Sequence, residues 1–149
     1  MYFNKKSEVR GQKSDFRNQK SEVRSQNMRS FQNLDIWKRS HALAIEIYKV
    51  TRTFPSNEAF GQVSQIRRAV VSIPTNIAEG CGRRTNSEFA NFLNIASGSA
   101  SEVEYEIILA KETNYINEQQ YKYLINEIRQ IRSMISAYMT RLHDTKADI

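Results

Sequence analysis

Cysteine occurs once in this chain of 149 residues, tryptophan once, and histidine and proline twice each. The single thiol, Cys81, excludes an intramolecular disulfide and any metal centre built from cysteines. A di-iron helical bundle needs inward carboxylates and Glu-x-x-His pairs. His41 and His143 are the only histidines, and neither has a glutamate three residues before it. Glu102, Glu104, Glu106 and Glu112 crowd one segment without a histidine, so they read as a solvated or salt-bridged face. No Ser-His-acid or Cys-His arrangement has local support. Gly80-Cys81-Gly82 lacks the lysine spacing of a phosphate-cradling loop. No uninterrupted apolar run approaches the roughly 20 residues of a membrane helix, and the N-terminus lacks the apolar core of a signal peptide. The expectation is a soluble, non-enzymatic protein with no metal and no cofactor; a reducing, cytoplasmic setting fits the single cysteine but is not demanded by it.

Charge of one sign is also scarce where it would matter most. The chain carries a net charge of +6, which by itself suggests nucleic acid or an anionic surface as partner. Residues 1–30 hold eight Lys or Arg against three acids, whereas residues 31–149 hold fourteen against thirteen. The excess therefore belongs to an N-terminal arm, and nucleic-acid binding by the remainder has to rest on a local patch.

That arm, residues 1–30, is a low-complexity repeat of seven residues: Lys6-Ser7-Glu8-Val9-Arg10-Gly11-Gln12, Lys13-Ser14-Asp15-Phe16-Arg17-Asn18-Gln19 and Lys20-Ser21-Glu22-Val23-Arg24-Ser25-Gln26. Each unit offers one apolar residue (Val9, Phe16 or Val23), so the paired seam of a coiled coil is missing. Such a stripe offsets little chain entropy, and disorder or a frayed helix is expected. Two further readings stand beside it: a translated tandem repeat with Met28 as the true start, or a basic arm that meets RNA or DNA phosphates.

Residues 31–149 read as four amphipathic helices. The first is expected from Asp35, as N-cap, to Thr53, with Ile36, Ser40, Leu43, Ile47, Val50 and Phe54 on one face. The second runs from about Phe60 to Glu79, its stripe Val63, Ile66, Val70, Ile73 and Ile77 interrupted by Pro74. Proline removes one backbone hydrogen bond there and should kink the helix. Gly80 reads as the helix stop. Asn76 stands ready to satisfy the carbonyl that Pro74 leaves without a donor.

The third helix opens at Asn86 or Ser87, with Phe89, Phe92, Ala96, Ser99, Val103, Ile107 and Ala110 inward. Its small middle, Ser97 to Ser101, permits close approach of a neighbour. The fourth begins near Asn117 or Glu118, with Leu124, Ile128, Ile131, Ile135, Tyr138 and Leu142 inward. Short links make this an all-α, antiparallel up-down-up-down four-helix bundle with a kinked second helix. Trp37, Tyr48, Phe60, Leu93, Ile108, Tyr115, Tyr123 and Ile125 fall outside these stripes and imply either wider stripes or a second buried face against another subunit.

The run from Gln65 to Gly80, together with Arg83-Arg84, Ser87-Glu88-Phe89, Phe92-Leu93, Ile95 to Ser99, and Glu102, resembles a known family. It is the four-helix-bundle family whose founding members are encoded by intervening sequences in bacterial 23S ribosomal RNA genes. The resemblance spans about residues 34–142. It implies a bacterial, ring-like homopentamer, and relatives in diversity-generating retroelements bind a reverse transcriptase and nucleic acid. Arg67, Pro74, Asn76, Glu79, Gly80, Ser99 and Glu102 form the structural signature, with Arg67 expected to pair with Glu102 or Ser99. Lys38, Arg39, Arg68, Arg83 and Arg84 are the candidates for nucleic-acid contact, ordinary solubilising charge being the plainer reading of each. The expected function is a non-catalytic oligomeric binding or scaffold protein, touching RNA or DNA electrostatically, a reverse-transcriptase-like partner, or both. The alternative is protein–protein assembly with no nucleic-acid role.

Overall fold

The computed structural model describes residues 30–145, so the expectations for the arm lie outside the described residues. A 3-10 turn at Phe31–Asn33 leads into α1 (Asp35–Thr51), and a second at Ser56–Glu58 precedes α2 (Gln62–Cys81). Two longer helices follow, α3 (Asn86–Glu112) and α4 (Glu118–Asp144), and the described residues contain no strand. Neighbouring helices run in opposite senses. The α3 N-terminus meets the α4 C-terminus through Asn86 and Thr145, at 3.2 Å. The start of α2 meets the far part of α3 where the Gln62 amide donates to the Glu106 carbonyl at 2.9 Å.

The apolar stripes account for the core. Ile47, Val70, Ile73, Ile77, Ile128, Ile131 and Ile135 are wholly buried, and truncation of such a side chain costs about 2–5 kcal/mol. On α3 the buried line is Phe89, Leu93, Ala96, Ala100, Val103, Ile107 and Ala110, a 4-3-4-3-4-3 progression. Phe92 and Ser99, expected inside, are only half-buried, because the line turns through Leu93 and Ala100 instead. Leu93 and Ile125, expected to be surplus, lie in the bundle's own core.

Helix ends correct several expectations. The N-cap of α1 is Leu34, with no side-chain cap bond, and Asp35 is the first helical residue. Its carboxylate faces the positive end of the helix, where negative charge is favourable. The helix ends two residues early, as Arg52, Thr53 and Phe54 donate three residues back, to Lys49, Val50 and Thr51. Phe60 precedes α2 and does not belong to it. The later two helices open on reciprocal capping boxes, Thr85 with Glu88 and Asn117 with Gln120.

Gly80 does not stop α2, which continues to Cys81 and is capped by Gly82 in right-handed conformation. A Cβ on Gly80 would lie 2.5 Å from the Phe89 ring and 3.0 Å from the Phe92 Cβ. The glycine is therefore required by close approach of α2 to α3. Gly98, within the small-residue segment, has nothing within 4 Å of a built Cβ; the approach is made through the buried Ala96 and Ala100. The left-handed residue among those described is Asn114, at φ 60°, after α3.

The second helix runs unbroken through buried Pro74. The Asn76 amide donates to the Ser72 carbonyl and hydroxyl at 2.8 and 3.0 Å, while the Thr75 hydroxyl donates to the Val71 carbonyl at 2.8 Å. Proline leaves the Val70 carbonyl without its donor, so Asn76 does not fill that gap as expected. Its side chain points one turn back onto Ser72, which in turn shares a 2.8 Å hydrogen bond with Ser99 on α3.

The two glycines should respond oppositely to alanine. Gly80→Ala is expected to lower stability by about 1–3 kcal/mol through overpacking. Gly98→Ala should raise it by about 1 kcal/mol through helix propensity. Urea unfolding of both variants checks the pair, and a neutral Gly80→Ala would mean that the helices separate without penalty.

Candidate functional site

Of the five basic candidates for nucleic-acid contact, three have acidic neighbours. Arg39 makes a two-pronged ion pair with Glu127 on α4, both contacts at 2.9 Å. This geometry matches the guanidinium fork to a carboxylate, and it ties α1 to α4. Arg83 lies 2.7 Å from Glu79 one turn earlier, and its guanidinium stacks 4.5 Å from the Phe92 ring centre. Lys38 is 3.9 Å from Asp35, a loose and exposed contact that adds little. Arg68 donates to the neutral Gln65 side chain at 2.8 Å. Arg84 is exposed on the link between α2 and α3. Arg68 and Arg84 are thus the candidates without an ion pair among the described residues.

Arg67 turns away from α3. Its Nε donates to the Thr51 hydroxyl at 2.8 Å and its terminal nitrogen to the Tyr48 carbonyl at 3.3 Å. The guanidinium also covers the Tyr48 ring at 4.6 Å. The expected partners are otherwise engaged: Ser99 bonds Ser72, and Glu102 is exposed. Adjacent helical positions diverge by about 100°; with Ile66 and Ala69 buried, Arg67 lies on the side toward α1.

Glu104, read as part of a solvated or salt-bridged face, is salt-bridged, to two α4 arginines that the sequence reading did not name. Arg129 meets its carboxylate at 2.8 Å, and Arg132 makes a second short contact with it. The Arg129 hydrogen bond, helped by that from Arg132, holds the Glu104 carboxyl below the usual carboxylate range. Glu106, two residues on, is the opposite case. It is 8% exposed, and its Oε2 has no hydrogen-bond partner among the described residues. Burial, followed by repulsion from Glu102, pushes its carboxyl up.

An open apolar groove of about 530 Å³ lies between α1 and α2. Trp37, His41, Ile45 and Tyr48 line one wall, Val71, Pro74 and Ala78 the other, and Phe31 stands at the rim. The Trp37 indole stacks on the His41 ring at 4.9 Å and 9°, and Phe31 meets Trp37 edge-on at 5.0 Å. The surplus aromatics Trp37 and Tyr48 were the only sequence sign of this groove. Among the described residues no three His, Cys, Asp or Glu side chains stand together as metal ligands. No helix there is long and apolar enough to cross a membrane.

Four antiparallel helices with an apolar surface groove and ion-paired faces define a helical-bundle protein. The profile of the 23S rRNA-intervening sequence protein family matches residues 32–137, and the chain belongs to that family. It is similar to a crystal structure from Bacteroides thetaiotaomicron of a protein with unknown function from the S23 ribosomal protein family. The TM-score is 0.66 and the identity 28%, over 70% of this chain and 97% of that one. No curated protein is significantly similar to it.

Glu106 yields a signed pH prediction. Because its folded-state pKa is raised, the native state favours the proton, and stability falls as pH rises through that folded value. Glu106→Gln removes the ionisation and should stabilise the protein at neutral pH by about 1 kcal/mol, roughly 3 °C in Tm. The gain should vanish in acid below the ordinary carboxylate range. Thermal melts of both proteins across pH check this, and a pH-independent difference would exclude buried ionisation as the cause.

Proposed function

We propose that the protein is a non-catalytic, self-associating binding module that acts as a scaffold in the bacterial cytoplasm. The observation that carries this reading is the set of large apolar side chains left on the surface. Phe60 is 99% exposed, and Tyr105, Tyr123 and Ile95 are each more than half exposed. They lie on the loop before α2, on α3 and on α4, away from the α1–α2 groove. Large apolar side chains left this exposed lose their water on association, and a second copy of the chain is the occupant proposed here. The family resemblance points to a closed ring of five, in which each contact repeats by symmetry.

A second reading rests on Arg68 and Arg84, the exposed candidate arginines outside ion pairs. A ring would repeat them around its axis and turn a weak phosphate contact into avid, sequence-tolerant binding of RNA or DNA. A reverse-transcriptase-like partner follows from the resemblance alone. The pairing of Arg39 and Arg83 with carboxylates reduces the available charge, so the geometry favours protein–protein assembly as the primary role.

Light scattering of the purified chain across concentration and salt should give one discrete oligomer, and Ile95→Glu should shift it toward monomer. A monomer at every concentration would sink the assembly reading. For nucleic acid, gel-shift titration should give a log–log salt slope that falls by about 2 per bound subunit in Arg68→Ala/Arg84→Ala. An unchanged slope removes these arginines from the interface.

A further inference from the structure

Phe60 stands 99% exposed, yet the loop that carries it is held from several sides. The Glu58 carboxylate accepts from the Tyr115 hydroxyl at 2.9 Å and from the Gln62 N–H at 3.1 Å. Tyr115 in turn packs its ring against Phe54 at 5.3 Å. The Gly61 N–H donates to the Glu58 carbonyl at 3.0 Å, and a Cβ on Gly61 would lie 2.5 Å from the Glu58 carboxylate. The loop thus closes tightly around Glu58 and fixes the backbone that presents Phe60. A backbone ordered before contact has less freedom to lose when its side chain is buried.

The α1–α2 groove has the shape to receive such a knob. Ala44, Pro74 and Ala78 leave it open between the rings of Trp37 and Tyr48, and its volume of about 530 Å³ exceeds that of one aromatic side chain. Ile45 and Val71, on opposite walls, remain 48% and 40% exposed. A phenyl ring seated there removes apolar surface from water on both sides of the contact.

Charge matches the two features as well. Glu58 is the only charged residue between Arg52 and Arg67. Its partners, Tyr115 and Gln62, are neutral, and it makes no ion pair among the described residues. Arg67 is the counterpart at the groove. Its guanidinium lies 4.6 Å from the centre of the Tyr48 ring, and its hydrogen bonds go to the neutral Thr51 hydroxyl and Tyr48 carbonyl. Knob and groove therefore each carry an unneutralised charge, of opposite sign, beside apolar surface.

We propose that Phe60 of one copy inserts into the α1–α2 groove of the next, with Glu58 meeting Arg67 at the Tyr48 end. This rests on the self-association reading and specifies its contact. Knob and groove are different patches of the chain, so the contact is head-to-tail. A closed ring then leaves no knob bare and no groove open. Ile95, Tyr105 and Tyr123, on α3 and α4, lie outside this contact.

The test uses the full chain and Trp37, its single tryptophan and a groove residue. Light scattering, Trp37 emission and acrylamide quenching are recorded over one dilution series for the native protein, Phe60→Ser and the loop control Asn57→Ser. Phe60 lies outside the bundle core, so far-UV circular dichroism should be the same for all three. At matched concentration, Phe60→Ser should show a lower mass and red-shifted, more readily quenched emission, while Asn57→Ser follows the native protein. A native oligomer whose Trp37 emission and quenching equal those of Phe60→Ser overturns the insertion and leaves self-association standing. A native chain that is monomeric at every concentration overturns both.

Discussion

The close approach of α2 to α3 is the constraint on which the rest of the structure depends. Gly80 leaves room for the Phe89 ring, Ala96 and Ala100 are fully buried, and the Ser72 and Ser99 hydroxyls meet at 2.8 Å. Small residues let two backbones come together, so the apolar stripes of both helices can also reach α1 and α4. Close packing makes such a seam intolerant of added volume. The placement of Pro74 and Asn76 follows from it: with Asn76 turned toward Ser72 and α3, Pro74 lines the opposite groove.

That groove is a consequence of the same economy of side chains. Ala44 on α1 faces Ala78 and Pro74 on α2 across it, and none of the three is large enough to close the gap. Trp37, Tyr48 and Ile45 line the opening without closing it. An apolar channel in water is unfavourable until something covers it.

Charge plays a different part from the one that net charge suggests. Arg39 ties α1 to α4 through Glu127, and Arg129 ties α4 to α3 through Glu104. Arg67 holds the end of α1 through Thr51. These arginines act as cross-links between helices, and each guanidinium that bonds a carboxylate or carbonyl is withdrawn from a phosphate-binding surface. Glu106 shows the reverse: a carboxyl sheltered on α3 without a hydrogen-bond donor for one oxygen, whose ionisation burial opposes.

The amino-acid sequence alone determined the helical class, the four elements and most of their buried faces. The steps of three and four in Ile66-Val70-Ile73-Ile77 or Leu124-Ile128-Ile131-Ile135 are local, and local periodicity decides which side of a helix is apolar. The family signature was legible for the same reason, as a pattern of residue types in order. Only the tertiary structure decided that Gly80 is a packing contact within α2, that Arg67 belongs to Thr51 and Tyr48, that Arg39 belongs to Glu127, and that Leu93 takes the core position expected of Phe92. Each of these depends on the rotation of one helix against another. A rotation of a few tens of degrees changes which neighbour a side chain meets, while it leaves the helix's own periodicity untouched.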